Sequence, residues 1–265
     1  MQDYVSSYDV CQRVKYETLA PEGLLQPLPI TCQVWDDITM DFIEGLPTSN
    51  SKNAILVVVD RLSKSAHFLA LAHPFTAKMV AEKFMDGVVK LHGMPKSIIS
   101  DRDPVFIGYF WREFFKLSGT QLKMSSSYHP QKDGQSKVVN RCVEQYLRCF
   151  VHHQPRKWSS FLPWAEFWYN TTYHASTGMT PFQALYGCLP LSIPHIWWAH
   201  FRFMKLTKIS PQRCSIAPGQ GQFECCYLAN LHAATNRMKQ MADSKRRDIE
   251  YQVGNIVFLK LHPYR

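Results

Sequence analysis

Residues 53–61 read Asn53-Ala54-Ile55-Leu56-Val57-Val58-Val59-Asp60-Arg61. The aliphatic run inside that stretch has neither the 3.6-residue period of an amphipathic helix nor the alternation of a half-buried strand. A run this short and this rich in β-branched residues predicts a strand buried on both faces. Such a strand needs strand neighbours at its sides and helices above and below it. Val34–Phe42 reads as the preceding strand. Ser65–Leu71 reads as the following one, with Ala66, Phe68 and Ala70 alternating against His67 and Leu69. The short turn regions 46–52 and 61–64 fit an antiparallel meander.

Beyond the meander the period changes. Thr76 can cap a helix whose apolar positions are Val80, Phe84, Val88 and Leu91, and Gly93 with Pro95 ends it. Residues 97–100 form a short strand that stops at Asp101, 110–117 a short helix, and 121–124 a fifth strand. Residues 125–135, rich in Ser, Pro and Gly, read as a mobile loop. A long helix over 133–153 then presents Val139, Cys142, Val143, Tyr146, Leu147 and Phe150 on one side and Lys137, Arg141, Glu144 and Arg148 on the other. Helices are also predicted over 158–174, 181–186 and 228–248, and a strand over 253–261. Together these describe an α/β chain, a mixed five-stranded sheet with helices on both faces.

The chain of 265 residues carries a net charge of +9 and 46% hydrophobic residues, which excludes a wholly disordered protein. No apolar run approaches the roughly 20 residues of a membrane span, and Met1–Val10 lacks the apolar stretch of a secretory signal. A nuclear or cytoplasmic location is expected, with no membrane partner. The eight cysteines are scattered and read as free thiols rather than a disulfide framework. The charge is uneven. Residues 1–190 hold 19 Lys/Arg against 17 Asp/Glu, and residues 191–265 hold 11 against 4. A basic tail on a near-neutral body points to an anionic partner, of which nucleic acid is the usual one.

Two carboxylates stand out by position. Asp41 falls on the first strand and Asp101 ends the fourth. Carboxylates on adjacent strands of a rigid sheet can share a hard divalent cation through oxygen ligands. A two-metal phosphoryl-transfer site needs at least one carboxylate more.

Five stretches in order carry a family resemblance. They are residues 35–43 (Trp35 to Ile43), 57–64 (Val57 to Lys64), 100–103 (Ser100 to Asp103), 128–135 (Tyr128 to Gln135) and 170–174 (Asn170 to His174). Residues 34–190 resemble the catalytic core of a gypsy-type LTR-retrotransposon integrase. The resemblance implies an RNase H-like fold, DNA integration by metal-dependent polynucleotidyl transfer, Mg²⁺ or Mn²⁺ as cofactor, DNA as partner and a homo-oligomer. It makes Asp41 and Asp101 the first two catalytic and metal-binding positions. The family's spacing puts a glutamate at 137, where this sequence has Lys137. An ammonium cannot ligate a cation and brings like charge beside it, so a degenerate site and impaired catalysis are expected. Neither Asp133 nor Glu144 is an obvious substitute. The resemblance also places Tyr128, His129, Gln131 and Lys132 beside the DNA channel.

The resemblance further divides the chain. Residues 1–33 look like the remnant of a zinc-binding domain and its linker. Tyr8 stands where a ligand cysteine is expected, so no zinc is expected. Residues 191–227 form a divergent irregular segment. Residues 228–265 look like a basic helix and the truncated start of a C-terminal β-barrel. Several residues keep two readings. Lys137 is a solvated lysine or, with Arg141 and Arg148, a phosphate contact. Lys245, Arg246 and Arg247 are a DNA-contact or nuclear-localisation cluster or a solvated helix end. Cys142, Cys149 and His153 share one helix face, as a buried side far more readily than as a metal site. Asp60 and Asp103 read as structural, pairing with Arg61, Arg102 or turn amides. The alternatives to an integrase are a non-catalytic nucleic-acid-binding or interaction protein derived from an element, and an inert relic.

Overall fold

The computed structural model describes residues 23–100, 106, 108–124, 134–190, 220–248, 252 and 254. Two compact units make up the chain, one spanning Pro27–Ala234 and the other joining Met1–Gln26 to Thr235–Arg265.

The larger unit is built on a five-stranded mixed sheet. Its strands are β1 (Asp37–Ile43), β2 (Ala54–Asp60), β3 (Ala66–Leu71), β4 (Ser97–Ser100) and β5 (Gln121–Met124), in the spatial order β3-β2-β1-β4-β5. The β1–β2 and β2–β3 pairs are antiparallel, which is the expected meander, and β1–β4 and β4–β5 are parallel. All seven residues of β2 are buried, as its unbroken apolar run requires.

Because side chains alternate across a strand, the sheet divides the apolar residues into two cores. One face collects Ile38, Met40, Leu56, Val58 and Leu71 with Val80, Phe84, Phe106, Trp111 and Phe115. These last five belong to or border α1 (Ala77–Phe84) and α2 (Tyr109–Ser118). The other face collects Ile43, Ile55, Val57, Val59 and Phe68 with Val139, Val143, Tyr146, Leu147, Trp158, Leu162 and Tyr169. These come from α3 (Gly134–Val151) and α4 (Trp158–Thr171). At about 25 cal/mol per Å² of apolar area, the two cores are the main favourable contribution to folding.

Thr76 caps α1 through the Met79 amide, as its sequence predicts. After Phe84 the helix passes through a π turn (Met85–Val89) into a last turn, Lys90–His92, and stops at Gly93 with φ 83°. The π turn carries no sequence signal that periodicity detects. It holds Gly87 against Leu69, where a Cβ would meet Leu69 Cδ2 at 2.6 Å. The short helix α5 (Pro181–Tyr186) starts at a capping box in which Thr180 Oγ1 accepts from the Gln183 amide and Gln183 Oε1 accepts from the Thr180 amide. Thr180→Ala is expected to cost about 1 kcal/mol, measured as a shift in urea midpoint at unchanged slope.

At the sheet edge, β3 would expose unpaired backbone groups, and α4 covers them. Asn170 Oδ1 accepts from the Ala66 amide and its Nδ2 donates to the Ala66 carbonyl, each at 2.9 Å. Glu166 Oε2 accepts from the Phe68 amide at 2.8 Å.

The last helix, α6, runs over Gln220–Asp243. It begins well before the expected residue 228, so residues 220–227 are helical and not part of an irregular segment. Tyr227 and Leu231 bury against Leu62, and the Tyr227 hydroxyl donates to the Leu62 carbonyl at 2.6 Å. Those packing partners are remote in sequence, which explains why composition alone gave no helix there. In the smaller unit, Lys239 and Asp243 form an ion pair at 3.3 Å. Together they hold the Leu25 backbone, Asp243 accepting from its amide and Lys239 donating to its carbonyl. The Leu25 amide, with Lys239, draws the Asp243 carboxyl below its ordinary value. Of the expected strand over 253–261 only Gly254 is described, with φ 106°, and of the expected remnant and linker over 1–33, residues 1–22 lie outside the described residues.

Candidate functional site

Asp41 sits in β1, the middle strand of the sheet, and is 8% exposed. Its neighbours Met40 and Phe42 face the first core, so the alternation of the strand turns Asp41 toward α3 and α4. A carboxylate buried this far must be hydrogen-bonded. Its Oδ1 accepts from the Phe42 amide at 2.9 Å, and its Oδ2 accepts from Asn140 Nδ2 at 2.9 Å.

Asp101 lies outside the described residues. The strand that leads to it is placed, however. Ser100, the last residue of β4, is the register partner of Met40, the residue before Asp41. Lys137 lies on α3, one helical turn before Asn140, and is exposed. Residues three apart share a helix face. The turn that contacts Asp41 is therefore the turn that carries Lys137.

Asn140 was not singled out by the sequence. Its signal was weak: an amide beside Val139 on a helix whose other buried positions are apolar. Its Nδ2 serves Asp41, and its Oδ1 is buried with no hydrogen-bond partner among the described residues. A buried orphan acceptor of this kind carries a cost of about 1–3 kcal/mol.

The oxygen atoms of Asp41 and Asn140 are hard donors that suit Mg²⁺ or Mn²⁺. The set falls short of two ions. Both Asp41 oxygens already accept N–H groups, and position 137, where the family resemblance expects a further carboxylate, is a lysine. Among the described residues no group of three His, Cys, Asp or Glu side chains could hold a metal. Cys142 is half-buried on the α3 face against the second core, Cys149 is exposed, and His153 falls beyond the end of the helix.

The candidate nucleic-acid residues divide in the same way. Tyr128, His129, Gln131 and Lys132 lie outside the described residues, as does Asp103. Arg141 is exposed on α3, four residues after Lys137. In the smaller unit Lys245 is exposed, while Arg246 donates to the Gly23 carbonyl at 3.0 Å and the Arg247 carbonyl accepts from the Gly23 amide at 2.9 Å. That pair therefore has a structural task as well. Asp60 is structural, as expected, but its partners are the Trp35 and Ser63 amides and the Ser63 hydroxyl rather than Arg61. The Arg61 guanidinium donates instead to the Pro29 carbonyl. Among the described residues no helix is long and apolar enough to cross a membrane.

No family model matches the chain. Among curated proteins it is 33% identical over 263 residues to the Transposon Tf2-3 polyprotein and to the Transposon Tf2-4 polyprotein of Schizosaccharomyces pombe. Each alignment covers 98% of this chain, which spans only 19% of the length of those relatives. Among solved structures it is similar to a chain of the simian T-cell lymphotropic virus intasome in complex with PP2A regulatory subunit B56 gamma. There the TM-score is 0.54 at 14% identity, covering 73% of this chain and 69% of that one. A further likeness is to the HTLV-2 integrase catalytic core domain in complex with magnesium, with a TM-score of 0.47 at 16% identity, over 57% of this chain and 95% of that one.

Proposed function

We propose that the chain is a degenerate gypsy-type LTR-retrotransposon integrase, one that binds DNA and has lost most of its capacity for strand transfer. The observation that carries this reading is the placement of Lys137 on the α3 turn that touches Asp41 through Asn140.

In this reading Asp41 and Asp101 hold a single Mg²⁺ or Mn²⁺ ion weakly. A pair of such ions, where present, activates the attacking oxygen and stabilises the leaving one. The protein's own groups act otherwise. Asn140 fixes the Asp41 carboxylate by one charge-assisted hydrogen bond, worth about 1.5–3 kcal/mol. Lys137 and Arg141, both exposed on one side of α3, offer positive charge to a phosphate backbone. Tyr128, His129, Gln131 and Lys132 border the DNA, and Lys245, Arg246 and Arg247 add a second basic cluster. The protein acts in the nucleus or cytoplasm and assembles as a homo-oligomer.

A titration of the full chain with duplex DNA at rising salt tests the binding half. Affinity is expected to fall roughly linearly with the logarithm of salt, and Arg141→Ala to lessen the slope by about one phosphate contact. Absence of binding even at low salt would leave the inert-relic reading. Strand transfer is tested with a donor DNA end and either metal, and robust turnover by the unaltered chain would overturn the impairment.

A further inference from the structure

Three elements of the larger unit bring two histidines face to face. His67 comes from β3 and His92 from the last turn of α1, and their Nε2 atoms lie 2.9 Å apart. Behind His67, from α4, Glu166 Oε1 lies 2.9 Å from Nδ1. The other Glu166 oxygen accepts from the Phe68 amide. Trp35, from the segment before β1, closes the group. It is buried and stacks on the His92 ring at 4.0 Å and 7°, and on the His67 ring at 5.1 Å.

This arrangement settles where the protons go. An ionised Glu166 can only accept, so opposite such a carboxylate His67 carries its proton on Nδ1. The two Nε2 atoms then face each other across one hydrogen bond, and a hydrogen bond holds one proton. If both rings carried an Nε2 proton, two N–H groups would meet head-on at 2.9 Å and the contact would open. We propose that His67 and His92 share one proton between their Nε2 atoms, and that this pair is an acid-sensitive clamp holding the end of α1 and Trp35 to the sheet edge.

The charged and titratable groups at the clamp are few. Glu166 faces it from α4, and His67 and His92 are its members from β3 and α1. Trp35 carries no charge, and β2 presents apolar Val58 at the register position of His67. Burial and then charge on His67 push His92 down to about 4. The sign follows from linkage. A histidine lowered in the fold binds protons more tightly when unfolded, so its stabilising contribution is complete above about pH 6.5 and is lost as pH falls toward 4. The half-buried His174 is lowered too, so acid sensitivity alone does not identify the clamp. The variant comparison does.

The experiment uses the full chain. Long-range ¹H–¹⁵N spectra of its histidines, recorded at pH 7, are expected to show His67 protonated at Nδ1 and one proton held between the two Nε2 atoms. Melting temperature is read from pH 8 to 4. His92→Phe keeps the stack on Trp35 and removes both nitrogens, so the loss of melting temperature between pH 7 and 4 is expected to be smaller than in the unaltered chain. His92→Gln, whose amide can meet His67 Nε2 in either sense, is expected to lessen the acid loss in the same way, and it serves if the Phe variant fails to fold. A proton on each Nε2, a bare His67 Nδ1, or an acid loss unchanged in the variant that folds would overturn the proposal. None of these outcomes depends on DNA binding or on metal at Asp41.

Discussion

Lys137→Glu is expected to convert a chain nearly indifferent to divalent cations into one stabilised by them. The substitution changes the local charge by two units on the α3 turn that contacts Asp41. It replaces a repelling ammonium with one more carboxylate, the addition a two-ion site needs. Coulomb attraction near a solvated surface, reduced by salt, still makes the expected gain in Mg²⁺ or Mn²⁺ affinity roughly tenfold or more. Melting temperature followed over a magnesium or manganese titration measures it. Lys137→Gln removes the repulsion without adding a ligand and should fall between the two. If the Glu variant binds cations no better than the unaltered chain, Lys137 is not the cause of the defect. Where cation binding returns, strand transfer with a donor DNA end is expected to return with it.

Much of the fold was legible because its signals are local. The unbroken run in β2, the alternation of β3 and the stripe of α3 each dictate their burial, and each lies where its period placed it. The π turn before His92 was not legible, since it depends on Gly87 approaching Leu69 across the core. The start of α6 at Gln220 was missed because Tyr227 and Leu231 find their partners at Leu62, far away in the chain. In the candidate site the sequence singled out Asp41 and the substitution at 137, and only the structure added Asn140. An amide at one helix position means nothing until a strand brings a carboxylate within 2.9 Å of it. The same holds for Glu166 and Asn170. In the sequence they are polar residues in an aromatic helix, and in the fold they satisfy the free backbone of an edge strand.

Asp60 separates the folding role of a motif from its chemical role. It lies within Val57–Lys64, one of the stretches that carry the integrase resemblance, yet it is fully buried and bonded to three donors. Asp60→Ala strands the Trp35 and Ser63 amides, and the loss is expected to be about 3 kcal/mol, the Ser63 hydroxyl being free to turn elsewhere. Burial raises the Asp60 carboxyl above its ordinary value, against the pull of the Ser63 and Trp35 hydrogen bonds. A carboxyl raised in the fold contributes stability that is complete below about pH 4 and declines as pH rises through the folded value. Burial thus disfavours the ionised form, and urea unfolding should show the gap between the unaltered chain and the Ala variant widening as pH falls toward 4. A gap that narrows over that range would mean that the ionised carboxylate is the better partner for its three donors. Asp60→Asn keeps one acceptor but turns an NH₂ toward the remaining donors, so an intermediate loss is expected. Because the hydrogen bonds of Asp60 among the described residues go to the turn after β2 and the segment before β1, DNA affinity per folded molecule should stay unchanged in both variants. A fall in that affinity would move Asp60 from the scaffold to the nucleic-acid surface.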